Sequence, residues 1–111
     1  MAIYNAEGDK LYAALTNNNL GLSYVVLNDN EKAKIHLNNA IQLATEIKAA
    51  NIVADAKTKL GNILVRLGDY EQAIMVLKEA LATNTENQQV LSQMDNLNGL
   101  ANAYNLSLIH I

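Results

Sequence analysis

Between residues 51 and 67 the apolar positions Val53, Ala56, Leu60, Ile63, Leu64 and Leu67 recur at intervals of three and four. That is the spacing of one stripe on an amphipathic helix, and it predicts a helix over 51–67. Gly68 follows, a residue that closes a helix by taking the left-handed conformation, and Asp69 stands where a side chain can cap the amides of the next helix. A second helix is expected over 70–82, and the short connection makes the two antiparallel.

The same pattern occurs 40 residues earlier. Leu20-Gly21-Leu22-Ser23-Tyr24-Val25-Val26-Leu27-Asn28-Asp29 stands in phase with Leu60-Gly61-Asn62-Ile63-Leu64-Val65-Arg66-Leu67-Gly68-Asp69. Downstream, Ala33, Leu37, Ala40 and Ile41 stand in phase with Ala73, Leu77, Ala80 and Leu81. A helix over 30–48 is the counterpart of the one over 70–82. Asn28 replaces Gly68 at the turn, and Asn is the best non-glycine residue for that conformation. A third copy starts at Leu100-Ala101-Asn102-Ala103-Tyr104, within a helix over 88–105. Self-similarity at a fixed period is the mark of a repeat array. The expected fold is all-α: antiparallel helix-turn-helix units stacked as an α-solenoid of about two and a half repeats.

Composition agrees with helix and removes several kinds of function. The 111 residues contain no Pro, 50% are hydrophobic and 17% are charged, which suits one soluble unit. Asn is frequent and helix-neutral at best, so packing of the apolar stripes must hold these helices. With a net charge of −3 and eight scattered Lys and Arg, the chain has no basic stripe for nucleic acid. The absence of Cys removes disulfide scaffolds, thiolate metal sites and thiol nucleophiles. No apolar run has the length to cross a bilayer, and the N-terminus lacks a secretion signal, so neither a membrane nor export is expected and the default location is cytoplasmic.

Leu-Gly, an aromatic or Leu three residues later, Gly68-Asp69-Tyr70, then Ala73 and Ala80, resemble the signature of the tetratricopeptide repeat from about residue 9 to residue 105. The family's usual period is about 34 residues, so the resemblance is to a longer variety. It departs from the signature at the tryptophan site, which carries Asn17 and Lys57, and at the late proline site, which carries Thr45 and Thr85. The array is expected over 1–105, as helix pairs at about 9–48 and 51–84 and a lone first helix at about 88–105.

Residues 106–111, Leu106-Ser107-Leu108-Ile109-His110-Ile111, leave the phase: Leu27 and Leu67 put an apolar residue at 107, where Ser107 stands. The hexapeptide is similar to a translated transposase adapter of the kind used in sequencing libraries, and is expected to be a non-native tail. With a lone helix and no cap, the chain is expected to be a fragment of a longer protein that self-associates through its uncapped end.

No catalytic constellation can be assembled. His36 has no ligand-type residue at metal spacing on its helix face and reads as solvated or half-buried, and the five Gly serve turns and helix contacts. Glu31, Asp55, Glu71 and Asp95 are explained by helix starts and solvated faces. No enzyme activity, cofactor or metal is expected. The family resemblance implies a protein or peptide partner on the concave side, lined by the first helices. The residues it assigns there are Asn18, Leu22 and Val25; Asp55, Thr58, Asn62, Val65 and Arg66; and Asp95, Asn98 and Asn102. Asn offers both donor and acceptor to a peptide backbone. The stripe does not resemble the carboxylate-clamp version, since Asn18 and Leu22 stand where a Lys and Asn pair would be. The alternative role is the sensory or regulatory region of a bacterial histidine kinase or transcription regulator.

Overall fold

The computed structural model describes residues 6–109, which form five helices: α1 (Ala6–Val26), α2 (Asn30–Glu46), α3 (Ala50–Arg66), α4 (Tyr70–Glu86) and α5 (Val90–Ile109). No strand occurs among the described residues. Each helix packs on the next, and α3 also touches α1 and α5, so the first helices of successive pairs share one face. The stack measures 56 × 31 × 19 Å.

All four turns are built alike. Asn28, Lys48, Gly68 and Gln88, twenty residues apart, each take a left-handed backbone with φ of 61°, 59°, 83° and 56°. Each closes its helix with the same two hydrogen bonds. At the first turn Asn28 N–H donates to Val25 O at 3.0 Å and Asp29 N–H to Tyr24 O at 2.9 Å, and the equivalents recur at Lys48, Gly68 and Gln88. This is the Schellman closure, which satisfies two carbonyls that would otherwise lack a partner. After the first three left-handed positions, Asp29, Ala49 and Asp69 stand at the N-cap of the following helix. Asp29 caps α2 with its carboxylate, accepting from Lys32 N–H at 3.2 Å. Asp69 occupies the same place without a side-chain cap bond.

Within a pair the helices approach closely because of glycine. A Cβ at Gly21 would lie 2.5 Å from Leu37 Cδ2, and one at Gly61 2.5 Å from Leu77 Cγ. Leu37 and Leu77 therefore drop into clefts that only glycine leaves open, and both are fully buried. Burial of a side chain of this size contributes about 1.5–3 kcal/mol. Alanines on α2 and α4, Ala33, Ala40, Ala73 and Ala80, are also fully buried and set the spacing between repeats.

Helix ends differ from the sequence expectation where local propensity is weak. α4 runs on through Thr83, Asn84 and Thr85 to Glu86, beyond the expected end at 82, because Asn84 is buried against α5. Packing overrides propensity there. α5 continues through residues 106–109, with Leu106 partly buried against the core. His110 and Ile111 of the expected tail lie outside the described residues.

Candidate functional site

Helical spacing brings Asp55, Thr58, Lys59 and Asn62 to one side of α3, and Asp95, Asn98 and Asn102 to one side of α5. These side chains, with Gly99, line a single concavity between the two helices. It continues one turn along through Asn51, Asn84, Gln89 and Ser92. Gly99 permits the approach: a Cβ there would meet Asn62 Oδ1 at 3.1 Å and Leu77 Cδ1 at 3.2 Å.

The charges in this groove are unequal in kind. Asp55 Oδ2 accepts from Lys59 Nζ at 2.7 Å and from Asn18 Nδ2 at 2.8 Å, and Lys59 also reaches Asn18 Oδ1 at 3.3 Å. Burial pushes the Asp55 carboxyl up, but the hydrogen bonds from Lys59 and Asn18 and the Lys59 charge outweigh it and hold the group below its ordinary value of 3.8. Asp55 and Lys59 thus neutralise each other. Asp95 is exposed and has no side-chain partner among the described residues.

The wall of the groove carries a chain of hydrogen-bonded side chains that leads inward to Asn96. Asn84 Nδ2 donates to Asn96 Oδ1 at 2.6 Å, and Asn96 Nδ2 donates to Thr58 Oγ1 at 2.7 Å. The Thr58 hydroxyl in turn donates to Ala54 O at 2.9 Å. Asn96 is 0% exposed, so α3, α4 and α5 are joined by a polar link inside the stack.

Of the residues expected to line the concave side, Asp55, Thr58, Asn62, Asp95, Asn98 and Asn102 come together in this groove. Asn18 is buried and contributes by holding Asp55 and Lys59. Val65 corrects the expectation: it is 7% exposed and belongs to the apolar cluster that includes Ala103 and Leu106 of α5, so it is core. Val25, in phase with it, is half-buried against the same cluster. Leu22 and Arg66 are exposed but do not line the α3–α5 concavity. Sequence reasoning missed Lys59, Asn84 and Asn96. Lys59 was findable as the i+4 partner of Asp55. Asn84 and Asn96 were findable from phase, since 40 residues earlier stand Ala44 and Ala56, two fully buried small residues.

His36 lies on another face. Its Nδ1 donates to Asn17 Oδ1 at 2.9 Å, and its ring stacks on Tyr24 with centroids 5.4 Å apart. Among the described residues no group of His, Asp and Glu is placed to hold a metal ion, and no helix is long and apolar enough to cross a membrane.

None of the curated proteins matches the chain. A family model described as the tetratricopeptide repeat matches residues 12–86, spanning α1 from Tyr12 onward with all of α2, α3 and α4 and the glycine contacts and turns between them. With that match over more than half its length, the chain belongs to the tetratricopeptide repeat family.

Proposed function

We propose that the groove between α3 and α5 holds a segment of a partner protein, with a Lys or Arg of that segment on Asp95. Tetratricopeptide repeats are in general protein–protein interaction modules and typically non-catalytic scaffolds, which supports looking for a protein ligand. The observation that carries the reading is the charge arrangement: Asp95 is the unneutralised charge in a concavity whose other polar side chains are mostly amides and hydroxyls. Asn62, Asn98 and Asn102 can each donate to and accept from a peptide backbone. A charge-assisted hydrogen bond then gives the preference for a cation.

The apolar requirement comes from α1. At the positions in phase with Asn51, Asp55 and Asn62 it carries Leu11, Leu15 and Leu22, all partly exposed. A segment crossing from α5 to α1 would pass from a polar floor to an apolar wall, so the favoured ligand has an apolar residue at one end and a basic residue at the other. The spacing of the four turns supports the long-period variety of the family.

Selection from a displayed random peptide library against the 111-residue chain, followed by titration of the best peptides, tests this. Peptides combining a basic and an apolar position are expected. Asp95→Asn should weaken them by roughly tenfold, the size of one charge-assisted bond. Selected peptides that are acidic, or whose binding is unchanged by Asp95→Asn, would overturn the assignment.

A further inference from the structure

Helix α5 carries one charged side chain in 20 residues, Asp95, and that one lies on the groove. On a different side, Val90, Met94, Leu97, Ala101, Tyr104 and Leu108 follow one another at intervals of three and four. They form a straight apolar stripe along the helix. Its five large members are between 44% and 67% exposed. Forty residues earlier the same positions of α3 include Ala54, Gly61 and Leu64, which are buried, with Gly61 pressed against Leu77 of α4. Among the described residues α5 packs on α3 and α4, and no helix covers the stripe.

We infer that a second copy of the chain covers it, the two α5 helices lying antiparallel about a two-fold axis at residue 99. About that axis the stripe is self-complementary. Leu97 meets the small Ala101 of the second copy, Met94 meets Tyr104, and Val90 meets Leu108. Large against small is how Leu37 and Leu77 already pack on Gly21 and Gly61 within one chain. Thioether against aromatic ring is a favourable contact. The flanking positions Gln93, Asn98 and Asn105 of α5 are uncharged, and a charge beside the stripe is Lys78 of α4, whose Nζ lies 5.8 Å from the Tyr104 ring centroid at the edge of the contact.

Area agrees with this occupant. Five side chains of this exposure leave on the order of 400–500 Å² of apolar surface, near the upper range for a single patch on a monomer. Two such faces together bury on the order of 800–1,000 Å², the size of a weak, reversible interface. An isologous contact closes at two copies and grows no further.

Sedimentation of the 111-residue chain over a range of concentrations reads the outcome. A monomer–dimer equilibrium is expected. Leu97→Lys should weaken it by at least roughly a hundredfold, because two cations enter the centre of an apolar contact. Leu97 is exposed in the single chain, so helicity should be unchanged, and Met94→Lys provides a second variant with the same expected loss. Tyr12→Lys, on the exposed side of α1, should leave the dimer intact. A monomer at every concentration overturns the inference and leaves the face to a different protein. Association that survives both α5 variants, or that Tyr12→Lys abolishes, overturns it in favour of a head-to-tail contact.

Discussion

At positions 48 and 88 a lysine and a glutamine adopt the backbone that Gly68 adopts at its turn, with φ of 59° and 56°. The left-handed conformation costs a residue with a Cβ roughly 1 kcal/mol or more. Lys48→Gly and Gln88→Gly are therefore each expected to stabilise the fold by about 1 kcal/mol, read as a rise in the chemical denaturation midpoint without a change of slope. The reason these turns were not legible in the sequence is the same. Asn28 and Gly68 announce a left-handed turn, whereas Lys48 and Gln88 take theirs because the two Schellman hydrogen bonds and the packing of the flanking helices require it. Asp55 gives a second test at this scale. Its folded-state carboxyl titrates below the unfolded one, so its contribution is complete above about pH 4 and is lost as pH falls through the lower folded value. Thermal unfolding of the protein and of Asp55→Asn at a series of pH values should show a difference that shrinks in acid; a constant difference would contradict the ion pair.

Between elements, the α2–α3 and α4–α5 junctions solve one packing problem in two ways. The first places the fully buried Ala44 and Ala56 at the positions where the second places the hydrogen-bonded pair Asn84 and Asn96. A buried amide that loses its partner costs about 1–3 kcal/mol, while replacing both partners can be nearly neutral. Asn96→Ala should accordingly destabilise by about that amount, since it strands Asn84 and Thr58, whereas Asn84→Ala with Asn96→Ala should recover most of the loss. Equilibrium denaturation of the two variants decides; additive losses would mean that the pair is not one unit. The amphipathic stripes of α3 and the glycine contacts could be read from sequence because they depend on period alone. Val65 could not, because it stands three positions from the groove-facing Asn62, the spacing of a shared helix face, and its burial depends on where α5 lies.

For the whole molecule, every helix touches only its neighbours or the next helix but one. Among the described residues no contact joins the two ends of the stack, so no single event need unfold it all. Stability in such an array is a sum of local terms, and its ends can open while the middle stays closed. Native-state hydrogen exchange should show the slowest amides in α3 and the start of α4, with α5 and the first half of α1 exchanging by separate, less costly openings; uniform protection across all five helices would rule this out. The Asn84–Asn96–Thr58 link gives the last helix a further property. An apolar junction tolerates sliding by a turn, because one aliphatic contact replaces another, but three donors and acceptors in series are satisfied at one setting only. An α5 that detached and returned would find these amides satisfied in one register only, so misaligned re-docking would be short-lived and the groove in which Asp95 sits would keep a fixed width.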